Sequence, residues 1–201
     1  NPGNFASLMF RKMMRDKGVK KDIKIAGTAS LMYATRRIAP AKVNIWAVKN
    51  IMPIAALPAT DTEYVVNSVK QMFSQFTPAK NALEIGIGNP NMVVHCPTAV
   101  LNAGRIEDTK GDFMFYWQGM TESVCRVIEK VDEERLAVAE KLGLKLMSSL
   151  DFLRKVYPLE KRGVNIHDFL THSKVHGGHG PDAPKDLHYR YLDEDVPNGL
   201  V

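Results

Sequence analysis

The sequence predicts an α/β segment followed by a mainly α-helical domain. Short apolar or alternating stretches lie between helical patterns in the first 78 residues, which is typical of a sheet flanked by helices. The rest of the chain shows helical periodicity. The composition, with 201 residues, 45% hydrophobic and 24% charged, is that of a folded protein with a sizeable core. We expect one unit over residues 1–78 and a second over 79–201, with the boundary at Thr77-Pro78.

The first unit begins with a predicted helix. Phe5, Leu8, Met9 and Met13 recur at helical spacing, and Gly18 is a suitable stop. The elements predicted after it are strands over 22–26 and 42–48, a strand or turn over 31–37, and a helix over 62–73. This order resembles the later part of an α/β sheet domain.

The second unit contains a long predicted helix over about 121–142, which Gly143 ends. Its apolar stripe consists of Val124, Val127, Ile128, Val131 and Val138. Shorter helices are expected over 150–156 and 165–171, followed by a glycine-rich loop over 177–181.

The charge distribution argues against a nucleic-acid partner. The net charge is +5, and residues 1–24 account for it with seven Lys or Arg against two Asp. Since the remainder is balanced, we interpret the basic segment as the solvated face of the first helix.

We expect a cytoplasmic protein with no membrane partner. Only two cysteines occur, Cys96 and Cys125, and no apolar stretch reaches the length of a membrane span. The longest such stretch, residues 51–59, contains two prolines. We expect no signal peptide, and because the chain does not begin with Met we expect a fragment or a processed product.

Histidine supplies two candidate sites. His172, His176 and His179 have spacing that could hold a metal, but glycines interrupt any helix there, so we expect a mobile polar loop and no metal. His95 lies in a stretch with two prolines and two asparagines, and it could be a structural or a proton-transferring histidine.

Arg190 precedes an acidic cluster of Asp193, Glu194 and Asp195. The arginine could form a surface ion pair, or it could bind a substrate carboxylate while one acid orients a histidine. Gly86-Ile87-Gly88 lacks the third glycine of a dinucleotide loop, and Cys125 is interpreted as core.

Several segments together resemble the octopine/nopaline (opine) dehydrogenase family. The similarity covers nearly the whole chain. The segments that carry it are residues 89–97, 101–107 (Leu-Asn-Ala-Gly-Arg-Ile-Glu), 113–116, 127–136 and 190–201 (with Glu-Asp-Val-Pro), and upstream residues 1–3 and 55–59. The resemblance implies the C-terminal part of a Rossmann-like nucleotide-binding domain followed by the family's α-helical substrate domain.

The resemblance also implies an activity, namely the NAD- or NADP-dependent reductive condensation of an amino acid with a 2-oxo acid. By resemblance, His95 and Asp195 are the catalytic pair, with Asp193 and Glu194 as competing partners, and Arg190 binds a substrate carboxylate. Residues 1–3 (Asn1, Pro2 and Gly3) would lie near the cofactor. A homodimer is compatible with this assignment.

Two alternatives remain. A related ketopantoate or β-hydroxyacid-type reductase shares the two-domain plan, but it would place a lysine at the start of a long helix, where this chain has Met120-Thr121-Glu122-Ser123. A non-catalytic helical assembly fragment could use the stripe from Val124 to Val138 for dimerisation. The family's glycine-rich phosphate loop is missing from this sequence.

Overall fold

The computed structural model describes residues 5–157, 163–177 and 182–201. The first part contains α1 (Ala6–Asp16), β1 (Ile25–Thr28), β2 (Tyr33–Ala39), β3 (Lys42–Val48), β4 (Met52–Leu57), a 3₁₀ turn (Ala59–Asp61), α2 (Thr62–Lys70) and β5 (Phe76–Pro78). The second contains α3 (Ala82–Ile87), α4 (Asn91–Leu101), α5 (Ala103–Thr109), α6 (Glu122–Lys141), α7 (Ser149–Val156), α8 (Ile166–His172), α9 (Arg190–Asp193) and a π-helical turn (Val196–Leu200). The predicted α/β segment followed by helices is confirmed.

Strand β4 is the centre of a three-stranded sheet in the order β1-β4-β5. It pairs antiparallel with β1 and parallel with β5, and α2 connects β4 to β5. Met52 and Ile54 to Ala56 are buried, as expected for a continuous apolar run in a central strand. The sequence had indicated only an apolar stretch over 51–59, so this strand was missed.

Strands β2 and β3 form a separate antiparallel hairpin, with Tyr33 opposite Val48. The segment predicted as a strand or turn is therefore a strand, and the prediction of β3 over 42–48 was correct. The strand predicted over 22–26 begins three residues later, at Ile25, and α2 ends at Lys70 rather than at residue 73. The hairpin lies against the helical part, because Ala34, Trp46 and Ala47 pack on its core.

Helix α4, which carries His95, was not predicted from the sequence. Residues 92–99 are all buried, so the helix has no polar face whose period could be recognised. Pro97 lies inside it and had suggested an irregular segment. Helix α4 packs against α6 and α9, and it forms the centre of the helical part.

Helix α6 is held at both ends by local signals. The Thr121 hydroxyl accepts a hydrogen bond from the backbone N–H of Val124, and Gly143 takes a left-handed φ of 69° after the last turn. The predicted stripe was partly wrong, because Val127 and Val138 are 41% and 54% exposed. The buried face carries polar residues that hydrophobicity alone does not indicate.

An ion pair between Arg135 and Asp132 occupies part of the buried face of α6. Arg135 and Asp132 lie 2.7 Å apart, and the guanidinium also donates to the backbone carbonyls of Ile87 and Met147. The Asp132 carboxylate accepts from the backbone N–H and the hydroxyl of Ser149. The pair therefore joins α6 to α3 and α7, with its polar atoms satisfied.

None of the helices in the described part of the chain combines the length and the apolarity that a membrane span requires.

Candidate functional site

A cleft of about 320 Å³ opens where the β2–β3 hairpin meets the helical part. We call it the His95 cleft, and its lining includes Lys49, His95, Tyr116, Tyr157, His176 and Arg190. The hairpin side is further lined by aromatic side chains, Tyr33 and Trp46. A cleft with aromatic walls and a few converging polar groups is the usual form of a small-molecule site.

The His95 ring is fixed on both of its nitrogens. Its Nδ1 lies 2.7 Å from Oδ2 of Asp195, and its Nε2 lies 2.7 Å from the Tyr116 hydroxyl. The ring also packs on Tyr191, with centroids 4.2 Å apart. His95 and Asp195 are both buried, on α4 and at the start of the π-helical turn. The structure thus brings together two residues that are 100 positions apart in sequence.

The two hydrogen bonds favour one tautomer of the neutral imidazole. An ionised Asp195 can only accept, so the neutral imidazole carries its proton on Nδ1, and Nε2 accepts the O–H of Tyr116. Burial lowers the pKa of His95 from 6.5, although the hydrogen bond to Asp195 opposes this effect. Burial raises the pKa of Tyr116 well above 10. Near neutral pH the group is therefore a neutral imidazole between a carboxylate and a phenol, which can take up or release a proton.

Arg190 begins α9 and lines the same cleft. Its Nε is buried and has no hydrogen-bond partner among the described residues. An orphaned guanidinium donor beside a cleft is suited to an incoming carboxylate. Of the acids considered as partners of His95, Asp195 forms the hydrogen bond to its ring. Asp193 is exposed instead, and its Oδ1 lies 4.0 Å from Nδ1 of His188.

Sequence reasoning missed Lys49 as a cleft residue. Lys49 follows β3, is 7% exposed and donates a hydrogen bond to the Ser30 hydroxyl at 2.7 Å. Burial lowers its pKa to about 8. The sequence shows only a lysine shortly before the buried strand β4. Whether the Lys49 side chain enters the cleft depends on how the hairpin folds back on the helical part.

His176 was expected in a mobile polar loop, and the structure corrects that expectation. Its ring packs between Tyr116 and Tyr157, and its Nδ1 lies 3.1 Å from the Ser173 hydroxyl. Burial, with smaller effects of neighbouring charges, lowers its pKa to about 3. His172 is exposed, and the predicted loop position His179 lies outside the described residues. No group of three potential metal ligands occurs in the described ranges.

Among the described residues, the Gly86-Ile87-Gly88 stretch leaves no room for a dinucleotide phosphate. A Cβ at Gly86 would overlap the ring of Phe5, so the close approach at the Gly-Ile-Gly stretch is taken by an aromatic side chain. The predicted cofactor contacts at Asn1, Pro2 and Gly3 lie outside the described residues.

Comparison with known proteins gives the family. The family model for the NAD/NADP octopine/nopaline dehydrogenase, alpha-helical domain, matches residues 78–201. An opine dehydrogenase from Arthrobacter sp. (strain 1C) is 31% identical over 202 residues, which cover 100% of this chain and 55% of the relative. A vitopine synthase from Allorhizobium ampelinum is 24% identical over 206 residues, covering 100% of this chain and 54% of the relative.

A solved structure of octopine dehydrogenase with NADH and L-arginine has the same fold. Its TM-score is 0.71 at 19% identity, and the match covers 100% of this chain and 54% of that one. The chain spans about half the length of the curated relatives it matches. Because the family model matches more than half of the chain, the chain belongs to the NAD/NADP octopine/nopaline dehydrogenase family.

Proposed function

We propose that the protein containing this chain catalyses the NAD(P)H-dependent reductive condensation of an amino acid with a 2-oxo acid, in either direction. Family membership supports the reaction class. The observation that carries the proposal is the Asp195–His95–Tyr116 hydrogen-bonded chain, which reaches the cleft that Arg190 also lines with an unpartnered Nε. This arrangement supplies proton transfer and carboxylate binding, which are the two requirements of the condensation.

His95 is proposed as the acid–base group. The amino acid arrives as an ammonium ion and must lose a proton before its nitrogen can attack the 2-oxo carbon. His95 is neutral near pH 7, so it can accept a proton at Nε2, directly or through the Tyr116 hydroxyl. Loss of water from the carbinolamine returns that proton to the departing oxygen. Asp195 stabilises the imidazolium formed in between.

Arg190 is proposed to orient the condensing substrates. Arg190 lines the cleft and its buried Nε has no partner among the described residues, and a bidentate guanidinium–carboxylate pair would fix the rotation of the reacting carbon. When bound, NAD(P)H supplies the hydride that reduces the imine. We also propose that residues 1–3 contact the dinucleotide. The proposed boundary between the nucleotide-binding part and the substrate domain lies between residues 78 and 79.

The test uses the full-length protein with NADH or NADPH. Oxidation of the dinucleotide should require an amine and a 2-oxo acid together, and His95→Asn or Asp195→Asn should lower kcat by roughly 100- to 10,000-fold, the usual contribution of acid–base catalysis. Reduction of a 2-oxo acid without any amine would instead indicate the hydroxyacid-type reductase. No turnover with a broad panel of pairs would indicate a non-catalytic assembly unit.

The homodimer and the cytoplasmic location stay predictions. Light scattering after size-exclusion chromatography would test the first, and cell fractionation would test the second.

A further inference from the structure

Lys49 is a buried ammonium group without an acidic partner. It is 7% exposed and bonds to the neutral hydroxyl of Ser30, and no carboxylate of the described residues lies within ion-pair distance of it. Its Nζ lies 5.6 Å from the centre of the Tyr157 ring. Removing an ammonium from water without a counter-ion is costly, so an incoming anion would stabilise the charged form of this lysine.

The charges around Lys49 indicate the kind of ligand. Arg36, Arg37 and Arg190 also line the His95 cleft, and no aspartate or glutamate of the described residues lines it. Asp195 is not among the residues that line the cleft, and its carboxylate accepts a hydrogen bond from Nδ1 of His95. A concave site with several cations and no carboxylate concentrates anions.

Lys49 and the reaction centre are linked by direct contacts. Lys49 faces the Tyr157 ring, the Tyr157 and His176 rings are 5.4 Å apart, and the His176 and Tyr116 rings are 4.9 Å apart. Tyr116 then bonds to His95. Arg190 comes from α9, whereas Lys49 comes from the end of β3, so two cations reach one cleft from separate elements.

We propose that Lys49 binds one of the two substrate carboxylates, while Arg190 binds the other. This inference rests on the proposed function, whose product carries both the amino-acid and the 2-oxo-acid carboxylate. Two cations on different elements would hold the substrates by their ends and bring the nitrogen and the 2-oxo carbon together near His95.

The test replaces Lys49 by methionine in the full-length protein. The KM of one substrate, either the amino acid or the 2-oxo acid, should rise about 10- to 100-fold, as expected for loss of a charge-assisted hydrogen bond. The substrate affected identifies the carboxylate. The KM of NAD(P)H should stay unchanged. Lys42→Met is the matched control, because Lys42 is exposed at the start of β3, the strand that Lys49 follows.

A second comparison separates carboxylate binding from a structural role. For the affected substrate, the wild-type protein should prefer the acid over its neutral amide, and Lys49→Met should remove about the same 10- to 100-fold from that preference. Calorimetric titration with the acid and the amide measures the preference without turnover. If Lys49→Met does not fold, Lys49→Arg is measured in its place. Lys49→Arg keeps the positive charge, so it should keep the preference for the acid over the amide.

The possible outcomes discriminate between the two proposals. If the wild-type protein turns over but Lys49→Met leaves the acid-to-amide ratio unchanged, the role of Lys49 is refuted and the proposed function stands. A rise in the KM of NAD(P)H alone would assign Lys49 to a dinucleotide phosphate and would also refute this role. Absence of turnover in the wild-type protein refutes the proposed function itself.

Discussion

Replacing His176 by asparagine should make the stability of the protein less dependent on pH. Burial holds the pKa of His176 at about 3 in the folded state, against 6.5 for an ordinary histidine. At pH 5 the unfolded chain therefore binds a proton at this position that the folded protein does not. Stability falls as the pH decreases below 6.5, and this one residue should cost about 2 kcal/mol between pH 7 and pH 5. Because pH 5 lies far above the pKa of His176 in the folded protein, the size of this stability change depends mainly on the pKa of the histidine in the unfolded chain.

The assay is urea denaturation at pH 7 and pH 5, for the wild type and His176→Asn. Asparagine can keep a hydrogen bond to the Ser173 hydroxyl and cannot gain a proton. Any constant loss from the smaller side chain cancels in the difference between the two pH values. His95 adds a pH dependence of the same sign in both proteins, since its pKa is also lowered.

The control is His188→Asn, which changes a histidine whose side chain is 96% exposed. It should lose as much stability as the wild type on acidification, whereas His176→Asn should lose about 2 kcal/mol less. Equal losses in the wild type and His176→Asn would show that the buried ring does not remain neutral, and would refute the reasoning.

Three further substitutions follow from contacts described above. Arg135→Met leaves the buried Asp132 carboxylate unpaired and should cost about 3–5 kcal/mol in urea denaturation. Tyr116→Phe removes the O–H that donates to His95, and it should lower kcat of the full-length protein about 100-fold, the lower end of acid–base contributions. Gly111→Ala places a Cβ against backbone carbonyl oxygens at a φ of 78°, so it should cost at least about 1–2 kcal/mol.

Matched controls exist for each of these changes. Arg126 is exposed on α6, and Arg126→Met should alter stability by less than about 0.5 kcal/mol. Tyr64→Phe changes an exposed tyrosine and should leave kcat unchanged. A Cβ at Gly104 meets no atom within 4 Å, so Gly104→Ala in α5 should be neutral or stabilising. If a test variant and its control behave alike, the contact invoked for that variant is not responsible.

For α6, local signals predicted the ends of the helix better than the face it buries. Thr121 and Gly143 delimit α6 because capping depends on residues close in sequence. Val127 and Val138 were placed in the core, but a valine on a helix is buried only where another element covers it. Helix α4 escaped prediction because it is covered on all sides.

The candidate site depended on resemblance more than on pattern. His95 and Asp195 are 100 residues apart, and no local rule pairs them. Family resemblance selected both before the geometry placed them 2.7 Å apart, while their catalytic roles stay predictions. Lys49 was missed and His176 was wrongly assigned to a mobile loop, because their burial arises where the hairpin and the helical part meet, which is a property of tertiary structure.

The separate β2–β3 hairpin has a consequence for how such a protein can diversify. The strands of this hairpin pair with each other and not with the three-stranded sheet, and Trp46 and Lys49 lie at its cleft side. The proposed acid–base pair is carried by α4 and the C-terminal turns instead. Under the proposed function, Trp46 and Lys49 are therefore encoded in a different stretch of the gene from His95 and Asp195, so mutations in the hairpin would alter one wall of the cleft while the proposed proton-transfer residues are inherited intact.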